Sequence, residues 1–88
     1  MKAKEGHKFV VSITDPVTGE KFIVGGKDGK MNPVPVAENG RITGEVIAWN
    51  DINDVERWLK AFREKNTKEQ WAVFLAHNPE VGEVRVIQ

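Results

Sequence analysis

Residues 49–68, WNDINDVERWLKAFREKNTK, constrain the fold more than any other stretch, because they carry the clearest helical period in the chain. Ile52, Val55, Leu59 and Phe62 recur at steps of three, four and three. At 3.6 residues per turn they stack into one apolar stripe, with Trp58 at its border. Asn50, Asp51 and Asn53 compete for the N-cap, and the Asn53-to-Glu56 spacing allows a loose capping box. Asp51, Asp54 and Glu56 sit early and Lys60, Arg63 and Lys65 late, which agrees with the helix dipole; Asn66 is a natural stop. The pattern predicts one amphipathic helix over about residues 51–66. About four turns of helix are marginal alone in water, so the stripe must lie on an apolar surface, and a sheet is the obvious one.

The rest of the chain reads as strand and turn. Residues 8–14, KFVVSIT, alternate Phe9, Val11 and Ile13 against Val10, Ser12 and Thr14. Asp15, Pro16 and Gly19 supply turn chemistry, and residues 20–25 return as the second arm of a hairpin. Pro33 and Pro35 cannot donate to a ladder, so residues 34–37 make at most a short edge strand. Asn39-Gly40 favours a hairpin turn into a longer strand over residues 41–49, where Gly44 marks a bulge or a close backbone approach. Either Val46 and Ala48 or Ile47 and Trp49 face inward there. Residues 70–77, QWAVFLAH, are a nearly continuous apolar run, expected as the central strand; after a turn at 78–82, residues 83–88 form the last strand. The expectation is an α+β fold. It has a mainly antiparallel sheet of about five to six strands, one helix packed on one face, and the order β-β-(β)-β-α-β-β.

At 88 residues the chain fits a single domain spanning 1–88, and no apolar run approaches the ~20 residues of a membrane span. The start carries lysines without the apolar core of a signal peptide, so a cytoplasmic protein is expected. Cysteine is absent, which removes disulfides, thiol nucleophiles and thiolate metal sites. Thirteen basic and thirteen acidic residues balance, which argues against a dedicated nucleic-acid binder. They fall in blocks: residues 57–68 hold five basic and one acidic, residues 31–56 one basic and five acidic.

Candidate chemistry is sparse. The glycine- and lysine-bearing segment 25–30 leads into Pro33 and Pro35 rather than into a helix, which sets it apart from a phosphate loop. His7 and His77 lie at two strand ends and lack a spacing that places two ligands on one element. Ser12, the only serine, is mid-strand rather than on an elbow, and Asp51 and Asp54 are explained by capping. No enzymatic activity, cofactor or metal is expected.

Two binding readings remain. Arg57, Lys60 and Arg63, with Lys65 and Lys68, make the second half of the helix basic, the alternative reading being a nucleic-acid-binding surface. The preferred reading is a small protein-interaction module, a regulator or inhibitor that occupies a partner's surface or forms a homodimer. Three tryptophans in so short a chain are many for its core to hide, and tryptophan is enriched at binding hot spots. Trp58 and Trp71 are the expected apolar anchors, with Arg57, Lys60 and Arg63 orienting an acidic partner. Exposure of Val10, Ile23, Phe74 and Ile87 on the second sheet face would make that face the seam. A phage- or mobile-element-encoded protein that binds a host enzyme is a further alternative, by size and class alone.

Overall fold

The computed structural model describes residues 1–25, 32–37, 39, 42 and 44–85. Its first 25 residues form the hairpin that the alternation predicts: β1 (His7–Thr14) and β2 (Lys21–Gly25), paired antiparallel with Ser12 opposite Ile23. The turn is closed by Asp15, whose Oδ1 accepts from the N–H groups of Val17 (2.8 Å) and Thr18 (3.1 Å), while Gly19 supplies a left-handed φ of 74°. A third strand, β3 (Asn32–Pro35), pairs with β2, and β4 (Glu80–Arg85) pairs with β1, giving an antiparallel sheet of order β3-β2-β1-β4. Val36 N–H donates to the Lys21 carbonyl, so the odd residues of β2 and the even residues of β3 bond each other. Pro33 and Pro35 therefore face the outer edge, where a missing N–H costs the ladder nothing.

β1 and β2 part company beyond Ser12 and Ile23, and a later segment enters between them. Phe9 and Trp49 exchange backbone hydrogen bonds of 2.7 and 2.9 Å, Ile47 N–H reaches the Val24 carbonyl, and Val46 bridges Gly25. Among the described residues of the strand expected over 41–49 there are isolated bridges, Ile42 to Val36, Val46 to Gly25 and Trp49 to Phe9, the last two because this segment serves the diverging β2 and β1 in turn. Ile47 and Trp49 are the pair that packs on the core. A Cβ on Gly25 would press into the Glu45 carbonyl and come within 2.6 Å of Val34 Cγ2, and one on Gly44 would lie 3.1 Å from Val34 Cγ1. Both glycines mark close approach. The glycine-rich loop beyond Gly25 and the turn residue Gly40 lie outside the described residues.

The helix predicted over 51–66 is α1 (Ile52–Lys65), with Asp51 as N-cap accepting from Asn53 N–H at 3.0 Å and Asn66 as C-cap. Residues 1–3 run beside its start: Ala3 N–H donates to the Asn50 carbonyl and Ile52 N–H to the Met1 carbonyl, so another of the helix's free N–H groups is satisfied. The apolar run expected as the central strand is instead a second helix, α2 (Lys68–Ala76). Two physical reasons decide it. Thr67 and Gln70 form a full capping box, with Gln70 N–H to Thr67 Oγ1 at 3.2 Å and Thr67 N–H to Gln70 Oε1 at 2.9 Å. Both edges of β1 are also already taken, by β4 on one side and by β2 with residues 46–49 on the other. Asn78, at φ 47°, ends α2 in the left-handed conformation, and Pro79 leads directly into β4.

Both helices lie on the sheet face that carries Phe9, Val11 and Val24, and these three with Val55 and Phe74 form the core cluster. Among the described residues the sheet has four strands rather than five or six, and two helices rather than one accompany it. The condition for an open seam on the opposite face is not met: Val10 and Ile23 are 1% and 4% exposed, and Phe74 is a buried helix residue. Ile87 lies outside the described residues.

Two predictions follow from this packing. Gly25→Ala, which must displace the Glu45 backbone or Val34, lowers stability by about 1–3 kcal/mol, whereas Gly82→Ala, whose Cβ meets nothing within 4 Å, does not; urea unfolding of the two variants checks it. Asp15 and Asp51 are held below the ordinary value of 3.8, chiefly by the N–H groups of Val17 and Thr18 for the first and of Asn53 for the second. A depressed carboxyl stabilises the fold fully above its ordinary value, and that contribution is lost as pH falls through the lower folded value. Asp15→Asn with Asp51→Asn should therefore flatten the fall in urea midpoint as pH is lowered from about 5.

Candidate functional site

The stripe of α1 does more than cover the sheet. Trp58 lies between Trp49 (ring centroids 5.3 Å apart) and Phe62 (5.5 Å, nearly parallel), and Phe62 in turn meets Trp71 (5.9 Å) and Phe74 (4.9 Å) of α2. Trp71 and Phe74 are themselves 5.5 Å apart. All three tryptophans and two phenylalanines thus form one continuous row, at spacings where offset and tilted rings attract. Phe62 is its junction. Phe74 is buried, and the other four rings are half-buried.

Beside this row, α2 leaves much of its apolar surface outward. Its residues are apolar on nearly every side, so no single face can bury them all; Val73 is 59% and Leu75 49% exposed. Between α1, α2 and β4 lies an apolar groove of about 240 Å³, reaching down to Val11 and walled by Leu59, Trp71 and Phe74. Leu75, Pro79, Glu80 and Val81 form the side toward β4, with Val81 41% exposed. Glu80 is the one ionisable residue of that lining.

The expected anchors and cations do not converge. Trp71 walls the groove, and the Arg63 guanidinium sits 6.0 Å over its ring. Trp58 lies beyond Phe62, packed against Trp49, and takes no part in the groove. Arg57, Lys60 and Arg63 recur every third residue, so they wind across about 120° of the helix surface instead of stacking. Arg57 is exposed and pairs with Asp54 at 3.1 Å; Lys60 is exposed. His7 and His77 do not meet, because Thr14 N–H bonds the His77 carbonyl and β1 separates that end from His7 by about 24 Å. The His77 ring is held locally, its Nδ1 2.7 Å from the Val73 carbonyl. Among the described residues, no group of three or more His, Asp or Glu is placed to hold a metal ion, and no helix is long and apolar enough to cross a membrane.

Leu75, Pro79 and Val81 were not among the residues expected to matter, because Leu75 falls in the stretch 70–77 expected as a covered strand and the other two in the turn expected at 78–82. The signal that finds them is Thr67-x-x-Gln70, which announces a helix just before the apolar run. The sequence matches no protein-family model, no curated protein and no solved structure.

Since Phe62 touches three other rings, Phe62→Ala should cost about 3 kcal/mol in urea unfolding, more than Val73→Ala, whose side chain is mostly in water.

Proposed function

We propose that this protein is a non-enzymatic protein-interaction module whose groove between α2 and β4 receives one apolar side chain of a partner protein. The observation that carries this reading is the groove's size and lining together. About 240 Å³ falls short of the roughly 300–1,000 Å³ of sites that enclose drug-sized ligands, yet exceeds a cavity of about 150 Å³ that accepts benzene. One leucine or aromatic side chain suits that volume. The lining is almost wholly apolar, and a rim of exposed Leu75 and Val81 provides the apolar area that interface centres use. Trp71 forms the wall against which the partner's side chain packs. Arg63 above it, with Lys60 and Arg57 further round α1, favours encounter with an acidic surface. A module of this kind acts as a regulator or inhibitor, by occupying the surface it binds.

The test is quantitative capture of partner proteins from the source cell's lysate by the tagged chain and by Leu75→Glu. Leu75 is already half in water, so the variant keeps its fold while a carboxylate enters the rim. The retained partner should drop by about thirtyfold, the loss of one hot-spot contact. Capture equal to wild type removes the groove from the interface. Nuclease-sensitive retention of nucleic acid, abolished by reversing Arg57 and Lys60, would replace this reading with the basic face of α1.

A further inference from the structure

The two edges of the sheet are built differently, and the difference follows from which residues turn their backbone outward. Phe9 exchanges both of its backbone hydrogen bonds with Trp49, so its pairing with Glu83 is of the non-bonded kind. Alternation then makes Lys8–Val84, Val10–Gly82 and Ser12–Glu80 the bonded pairs of β1 and β4. Thr14, of the same parity, agrees: its N–H points to the β4 side, onto the His77 carbonyl. Val81, Glu83 and Arg85 are left with N–H and C=O directed away from β1, at the sheet's edge. Among the described residues no backbone group pairs with them. On β3 the outward positions are prolines, which have no N–H to offer. On β4 each outward position has its donor.

An open edge accepts a further strand, and the side chains of β4 say which one. Outward residues of antiparallel strands related by a two-fold axis pair only with each other, which leaves three central registers. Placing Glu83 opposite its own copy sets two carboxylates together, which is repulsive. Placing Val81 opposite Glu83 joins an apolar side chain to a charge. Placing Glu83 opposite Arg85 joins opposite charges, and the two-fold axis makes that pair twice, with Val84 facing Val84 across the axis.

Glu83 and Arg85 are both exposed and share one face of the strand. Glu83 is already steadied by Lys4 N–H on Oε1 at 3.1 Å, which leaves its second oxygen for an arginine. We infer that the β4 edge is a self-recognition site: two copies of this chain join antiparallel through β4, in the register that sets Glu83 of each against Arg85 of the other. The two sheets become one continuous sheet, with the helices of both copies on the same side and the grooves flanking the seam. This goes beyond the groove reading, since it requires no other protein.

Sedimentation equilibrium of the purified chain tests it without reference to any partner. Wild type should show twice the mass of one chain at high concentration. Arg85→Glu, which sets like charges face to face at an exposed position, should weaken association by about tenfold or more. Glu83→Arg combined with Arg85→Glu should recover most of it, since the pair is re-formed with its signs exchanged. Circular dichroism of each variant confirms that the fold is kept. A wild-type chain that stays monomeric to about 1 mM overturns the inference, as does a dimer whose affinity Arg85→Glu leaves unchanged, which would put the seam elsewhere. Partner capture by the groove is unaffected by either result.

Discussion

The separation of β1 from β2 beyond Ser12 and Ile23 is the constraint on which the other contacts depend. Where two strands diverge inside a protein, their facing N–H and C=O groups lose each other and must find new partners out of water. Here they find residues 46–49: Trp49 completes Phe9 and Ile47 completes one side of Val24. The entering chain needs room, which Gly25 provides by having no side chain where the Glu45 carbonyl passes. Once Trp49 is bonded to Phe9 its ring stands over the core face, and α1 starts three residues later, capped by Asp51 and tied to residues 1–3. A local mismatch in the hairpin thereby sets the entry point of the main helix.

The aromatic row extends the same logic into α2. A nine-residue helix does not persist alone in water, whatever its capping box. It is held by Phe74, which reaches the core, and by Trp71, which packs on Phe62, while Val73 and Leu75 stay largely exposed. The groove is a consequence of that attachment, because a helix fastened by two rings stands off β4 along its Leu75 side. The rings that hold α2 also wall the groove. A change at Trp71 therefore alters stability together with the groove wall, whereas a change at Leu75 touches chiefly the surface.

Much of the fold was legible in the chain, and the misreading had a definite origin. β1, its turn and β2 were visible because a half-buried strand alternates, and α1 because a half-buried helix repeats at 3.6; its N-cap and stop fell within the expected candidates. Residues 70–77 carry neither period. Trp71, Ala72, Val73, Phe74, Leu75 and Ala76 are apolar in succession, and such a run reads alike as a covered strand or as a helix with apolar residues on all sides. Thr67 and Gln70 decided between them, through a motif whose cue lies outside the run. The groove could not be read at all without that correction, since it joins α2 to β4 across Pro79. The proline positions of β3 were legible as an edge from covalent chemistry alone.

The contrast between the two edges illustrates how much parity decides in a small sheet. Shifting Pro33 and Pro35 by one position would remove donors from the β2 ladder and open the outer edge, with the composition unchanged. On β4 the same parity exposes the backbone of Val81, Glu83 and Arg85 and turns their side chains to the helix side, next to the groove. A run of lysines at those positions would repel any second copy in every register. Glutamate and arginine two residues apart instead forbid one register and favour its neighbour, so their charges choose a partner strand where like charges would exclude it. The neutral total of thirteen against thirteen conceals this, because what would govern the proposed association is the order of charges along the β4 edge.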